Sequence, residues 1–307
     1  MAAPQAYSPE AIIQSNLAEG TVRHRRICEQ ELAHLCELAT EIAEGESLTA
    51  EFLASLPEHR LPPIESTDTA KDRIDRVWRS VCLSTAILNR LETTAPSAEW
   101  FFPEADEPSE NAADRILYRK NGYTDRAYLQ FAGLLEAPRA AYADTFDAVC
   151  EGVYEGDCEY CILPLENSEE GRLNSFWRLI GRFALKIVAT CDVPTASHGQ
   201  TTRFALLRLA PQRLADKHRS GYLLECAIPQ SALPASDALY AADCCGLDVA
   251  RVDVGFLPTE QNTPTTHLVL YTESERITAF LLYLSMEAPD YTFIGYYPHI
   301  PNDRKDF

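Results

Sequence analysis

The chain has 307 residues, 46% of them apolar and 24% charged, ordinary proportions for a folded protein of two or three domains. A formal net charge of −19 argues against nucleic acid and anionic membrane surfaces, both of which call for clustered Lys and Arg. It leaves room for a small anionic ligand, because a few arginines converging in a cleft override the global field locally.

No run approaches the roughly 18 apolar residues of a membrane span, and no basic-then-apolar leader opens the sequence. A cytoplasmic protein is expected. The ten cysteines read as reduced, mostly buried thiols. Cys158 and Cys161 form the one CxxC, and no second pair stands at zinc-site spacing. The pair reads as structural, with a metal site as the lesser alternative, and no cofactor is expected.

Residues 1–95 predict a helical domain. Cys28, Leu32, Leu35, Ala39 and Ile42 recur at helical spacing, with Gly45 as a stop. A second helix carries Ile74, Val77, Trp78, Val81, Leu88 and Leu91 on one face, capped by Thr67 or Asp68 after the proline-rich connection "SLPEHRLPPIEST". An antiparallel bundle is the simplest architecture. Arg23, Arg25 and Arg26 fall on several faces of the first helix and read as solvated charges.

Residues 96–125 read as a linker, broken by Pro96, Pro103 and Pro108, with a short helix in "SENAADRILYRKNG" ending at Asn121-Gly122. Residues 126–205 predict a small α/β lobe. "RAYLQFAG" and "RAAYAD" are expected as strands, and "TFDAVCEGVYEGD" as a helix burying Phe146, Val149, Val153 and Tyr154. "YCILPL" follows as a buried strand, then "SFWRLIGRF" as a helix with Phe176, Trp177, Ile180 and Phe183 inward, then the strand "LKIVATCDV". The alternation implies a largely parallel sheet. Beyond residue 206, strands "YLLECAI", "VARVDVGFL", "THLVLYT" and "TFIGYY" and two helices give a βαββαβ order of the ferredoxin-like kind.

Two short stretches carry candidate chemistry. Glu166-Asn167-Ser168 end a buried strand ahead of a helix, where backbone N–H groups and neutral side-chain donors can hold an anion. The plainer reading makes Asn167 or Ser168 a helix cap. Thr202-Arg203-Phe204 can supply a hydroxyl and a guanidinium to a carboxylate substrate, or can be ordinary strand residues.

Taken in order, these segments resemble the prephenate dehydratase family. "ILPLENSEEGRL" is similar to its VPIENSxxGxV signature, with Pro164, Glu166, Asn167, Ser168 and Gly171 matching, and "TTRF" is similar to its TRF motif. The βαββαβ unit resembles the ACT domain that follows in these enzymes, and "FIGYYP" resembles its closing LGSYP strand. The resemblance implies a lobe of periplasmic-binding-like half type at 126–205 and an ACT-like regulatory domain at 206–307. It makes Thr202 and Arg203 the catalytic residues, and Glu166, Asn167, Ser168 and Phe204 the substrate-binding ones. Leu233 and Asp253 become the effector-binding residues. The substrate would be prephenate, losing CO2 and water to give phenylpyruvate. The effector would be an amino acid, and the partner a second copy joined through the ACT domain. The helical segment resembles, in domain order alone, the chorismate mutase of bifunctional relatives.

The departures bear on activity. In the family a second lobe lies between the ENS-containing part and TRF, closing over the substrate. Here only "PTASHGQT" separates the strand ending at Val193 from Thr202, and a domain needs about 50 residues. The effector loop, usually GAL, reads Ser231-Ala232-Leu233, and the ESRP strand is replaced by "VDVGFLP". The expected function is therefore a catalytically degenerate relative with a ligand-binding or regulatory role in phenylalanine metabolism. An active prephenate dehydratase and a purely structural or interaction module stand as alternatives.

Overall fold

The computed structural model describes residues 22–62, 70–91, 114–195, 199–214, 221–256, 264–272 and 276–301. In chain order the elements are α1 (Val22–Ala43), α2 (Ala50–Ser55), a 3-10 turn (Leu56–His59), α3 (Ala70–Leu88), β1 (Arg115–Tyr118), α4 (Gly122–Ala132) and β2 (Arg139–Tyr142). There follow α5 (Phe146–Tyr154), β3 (Tyr160–Asn167), β4 (Gly171–Arg172), α6 (Asn174–Arg182), β5 (Lys186–Pro194) and β6 (Thr201–Arg208). Last come β7 (Tyr222–Pro229), α7 (Ala235–Cys244), β8 (Asp248–Phe256), β9 (Pro264–Thr272), α8 (Arg276–Glu287) and β10 (Thr292–Ile300). The side chains of Arg23, Arg25, Arg26 and Cys28, and the expected cap at Thr67 or Asp68, lie outside the described residues.

Two compact units share the chain: residues 1–101, 228–253 and 266–292 in one, and 102–227, 254–265 and 293–307 in the other. In the helical unit α3 packs against α1, α7 and α8. Its burial starts at Val77 and runs almost unbroken from Ser80 to Leu88. Ile74, expected on the same face, is 47% exposed because it sits in the first turns, ahead of the covered stretch. The described part of the proline-rich connection, residues 55–62, holds a 3-10 turn directly after α2. Thr49 caps α2 by accepting from the Phe52 N–H at 3.1 Å, and Pro57 opens the 3-10 turn, where its missing N–H costs nothing.

The second unit is built on a mixed sheet in the order β2-β1-β3-β6-β5-β10-β7. β1 is parallel to β2 and to β3, but β6 is antiparallel to both β3 and β5, so the expected largely parallel sheet is corrected to a mixed one. The reason is local: β5 and β6 are joined by a short connection, and a parallel pair needs a crossover of a dozen or more residues.

Two further expectations are corrected. "RILY" is strand β1, not part of a helix, and "RAYLQFAG" belongs to helix α4, not to a strand. Asn121 starts a helix instead of ending one. Its side chain accepts from the N–H groups of Tyr123 (2.9 Å) and Thr124 (3.1 Å), while Thr124 Oγ1 accepts from the Asn121 N–H at 3.1 Å, a reciprocal capping box. On α5, Val149 and Val153 are buried as expected, but Tyr154 is exposed and stacks edge-on against the Phe183 ring. Trp177, Ile180 and Phe183 are buried around α6, with Phe176 half-buried.

Candidate active site

The register of β3 against β6 sets the site. Glu166 lies opposite Arg203 and Asn167 opposite Thr202, so the two sequence motifs are cross-strand neighbours. A bulge between Pro164 and Glu166 brings this about, since one extra residue shifts which side chains oppose β6 beyond it. β5 continues the rows: Asp192 stands opposite Arg203 and Val193 opposite Thr202. Alternation along a strand then sends Thr202 and Arg203 to opposite faces of the sheet.

On one face Arg203 is surrounded by acids. Its Nε donates to Asp192 Oδ1 at 2.9 Å and its Nη2 to Asp192 Oδ2 at 3.2 Å, a bidentate fork, while Nη1 meets Glu166 Oε1 at 2.9 Å. His299, from β10, adds its Nε2 at 3.4 Å from Asp192 Oδ2, and its Nδ1 lies 3.0 Å from Thr190 Oγ1. Burial alone pushes the Asp192 carboxyl up. The hydrogen bonds from His299 and Arg203, with the guanidinium charge, outweigh it and hold Asp192 well below the usual carboxylate range. Burial likewise opposes the Arg203 charge, and the two carboxylates more than restore it.

On the other face Thr202 shares a row with Asn167 and Val193. Phe204, two residues on, is 3% exposed and packs in the core with Phe131, Ile162 and Cys191. Asn167 and Ser168 do not cap α6, whose N-cap position is Leu173 with no side-chain hydrogen bond. Asn167 Oδ1 accepts from the N–H groups of Glu169 (2.9 Å) and Glu170 (2.6 Å), closing the turn from β3 into β4. Ser168 links to Thr201 twice: its N–H donates to the Thr201 carbonyl at 3.0 Å, and its Oγ accepts from the Thr201 N–H at 3.1 Å.

The connection expected to be too short for a lobe is a hairpin. Pro194 lies opposite Thr201, and the Thr195 N–H donates to the Gln200 carbonyl at 2.9 Å. Gln200 Nε2 also donates to Glu169, tying this turn to the β3–β4 turn. Elsewhere, Leu233 is buried in the turn between β7 and α7, and Asp253 on β8 pairs with Arg251 at 2.9 Å. Cys158 and Cys161 are buried free thiols pushed up by burial, Cys161 further by contact with Cys150.

Asp192, Thr190 and His299 are the site members that motif reading missed. An acid inside the apolar strand "LKIVATCDV" was the available signal: such a group is buried only when paired, and a hairpin places it beside Arg203.

Comparison with known proteins bears on the same lobe. The prephenate dehydratase family model matches residues 117–198, which include Glu166–Ser168 and stop short of Thr202–Phe204. No curated protein sequence matches the chain. Among solved structures, prephenate dehydratase from Streptococcus mutans is 19% identical with a TM-score of 0.50, covering 61% of this chain and 99% of its own. A quorum-quenching acylase, GqqA, is 22% identical with a TM-score of 0.48, covering 63% and 99%. Prephenate dehydratase from Arthrobacter aurescens, in complex with L-Phe, is 13% identical with a TM-score of 0.47, covering 60% and 90%. The first of these is a likeness of fold.

Proposed function

From a chain that is a relative of the prephenate dehydratase family through residues 117–198, we propose a protein that no longer turns over prephenate and instead acts by binding or regulation in phenylalanine metabolism. One observation carries this: the Arg203 guanidinium is engaged at Nε and both terminal nitrogens by Asp192 and Glu166 of its own chain. A substrate carboxylate would have to displace two carboxylates already fitted to it. The opposite orientation of Thr202 supports the same reading, because one bound molecule on one face of the sheet meets the hydroxyl or the guanidinium, not both.

The hairpin at Thr195–Gln200 supports it further. Among the described residues no lobe stands between β5 and β6, and elimination depends on a shielded, precisely positioned site. The order β7-α7-β8-β9-α8-β10 matches that of an ACT domain, and we assign that segment an amino-acid effector at Leu233 and Asp253, a cytoplasmic setting and a homodimer.

The test is a prephenate-to-phenylpyruvate assay on the purified full chain, with calorimetric titration of phenylalanine. No turnover together with saturable heat is expected. Turnover abolished by Thr202→Ala would instead establish the active dehydratase, which the Asn167–Thr202 pairing favours. Neither turnover nor heat with phenylalanine, tyrosine, chorismate or prephenate would leave an interaction module.

A further inference from the structure

Strand β2 ends its sheet: it pairs with β1 on one side, and among the described residues no strand lies on its other side. The Arg139 N–H donates inward to the Asp114 carbonyl at 2.9 Å, and the Ala143 N–H to the Tyr118 carbonyl at 3.2 Å. Backbone groups alternate sides along a strand. Residues 139, 141 and 143 therefore face β1, and the N–H and C=O groups of Ala140 and Tyr142 face outward. Such an edge is a template for a further strand.

A groove of about 480 Å³ runs between this edge strand and α5. It exists because the side chains along it are small. Gly152 lets α5 settle onto β1, since an added Cβ would come within 2.6 Å of Leu117 Cδ2. Ala141, in register with Leu117, faces the same way, so Ala141 and Ala143 of β2 and Ala148 of α5 leave the space beside the edge unfilled. The rim is acidic. Glu151, Glu155 and Asp157, all exposed, stand against one cation, Arg115, whose Nη1 is turned to the Asp157 carbonyl at 3.1 Å. Among the described residues no hydrogen bond or ion pair engages the three carboxylates.

Spacing ties edge and groove together. Glu151 and Glu155 lie about one helical turn apart, roughly 6 Å along α5. Side chains on one face of an extended strand recur every second residue, at about 6.6 Å. A strand added to β2 turns alternate side chains into the groove, level with successive carboxylates. Lys and Arg suit that path, because the aliphatic stem covers the alanines while the charged head reaches the acid. We propose that β2 and this groove bind an extended basic segment of a partner protein, one with Lys or Arg at every second residue. Edge pairing supplies main-chain hydrogen bonds, and the carboxylates select the charge. This surface goes beyond the ligand-binding reading and shares no residue with the Arg203–Asp192 site.

Fluorescence anisotropy of a labelled peptide of alternating Lys and Val, titrated with the full chain, tests it. Saturable binding is expected, weakened at least about tenfold when Glu151→Lys and Glu155→Lys are combined. Glu37→Lys with Glu41→Lys makes the same charge change at the same spacing on the exposed side of α1, and should bind as the wild type does. Equal weakening there would mean that the net charge of −19 attracts the peptide, and would remove the groove. Ala140→Pro deletes an outward N–H and no bond to β1, so it should weaken binding with the fold intact. Undiminished binding by that variant would overturn strand pairing. Far-ultraviolet dichroism checks that each variant is folded. No saturable binding by the wild type would remove the site outright.

Discussion

Arg203 grips Asp192 with two parallel hydrogen bonds, Nε to Oδ1 at 2.9 Å and Nη2 to Oδ2 at 3.2 Å, across neighbouring strands of one sheet. The pair is about three-quarters removed from solvent, with 31% and 23% of the two side chains exposed. Geometry of this kind holds two hairpin strands in register, and it occupies the guanidinium of the TTRF segment. Removing the acid forfeits the two-bond fork and leaves the largely buried guanidinium to Glu166 alone. Asp192→Asn should therefore lower unfolding free energy by about 2 kcal/mol at neutral pH, read from the midpoint of urea denaturation.

The same carboxyl gives a pH dependence whose sign is fixed. Its folded pKa lies below the unfolded value of about 3.9. Its contribution is then fully present above that value and is lost as pH falls towards the folded pKa. Wild type should lose stability below about pH 4 more steeply than Asp192→Asn, as measured by urea midpoints from pH 6 down to pH 3. Parallel acid limbs for the two proteins would count against the ion pair.

Glu166 offers the graded comparison. It takes one guanidinium nitrogen where Asp192 takes two, and its own side chain is 22% exposed. Glu166→Gln keeps a hydrogen-bond acceptor and should cost under about 1 kcal/mol. A cost equal to that of Asp192→Asn would mean that Glu166, not the β5–β6 fork, anchors Arg203.

The βαββαβ order was legible from residue 222 onward because each segment has one dominant signal: apolar runs such as "YLLECAI", separated by helical runs with turn residues between. "RILYRKNGYTDRAYLQFAG" misled for the opposite reason. Asn-Gly reads as a stop, yet Asn121 and Thr124 bond reciprocally and start α4, a contact between side chain and backbone that apolar periodicity does not register. The motifs predicted that Glu166–Ser168 and Thr202–Phe204 belong together, and β3–β6 pairing joins them. That Arg203 is spoken for was not legible. It depends on a bulge at Pro164–Glu166 and on the hairpin register, both fixed by pairing between distant residues.

Gly295 marks where β10 presses against β5. An added Cβ would collide with the Ile187 carbonyl oxygen and approach the Tyr297 ring to 2.8 Å. Backbone cannot yield as a flexible side chain can, so Gly295→Ala should destabilise by about 1–3 kcal/mol. The β10–β5 join also carries His299 to Asp192, so the variant should show a weakened acid limb as well as a lower urea midpoint. An unchanged midpoint would mean that the strands separate there without cost.

Glu287, at the end of α8, is 3% exposed and receives three donors: Arg60 Nε at 2.6 Å, Arg76 Nη2 at 2.8 Å and the Ser80 hydroxyl at 2.7 Å. All three come from the helical segment, so a single carboxylate ties the 3-10 turn's exit and α3 to α8. Glu287→Gln removes the charge while keeping the shape, leaving Arg76, itself only 23% exposed, without its counter-charge. A loss of about 3 kcal/mol is expected, against about 1 kcal/mol for Ser80→Ala, which deletes one neutral donor. Glu287→Gln should also expose the 3-10 turn and the start of α3 to faster amide exchange, since those segments depend on it for their anchorage. If the two variants prove equally mild and exchange there is unchanged, apolar packing of α3 on α8 alone holds the helices, and the buried carboxylate is incidental to it.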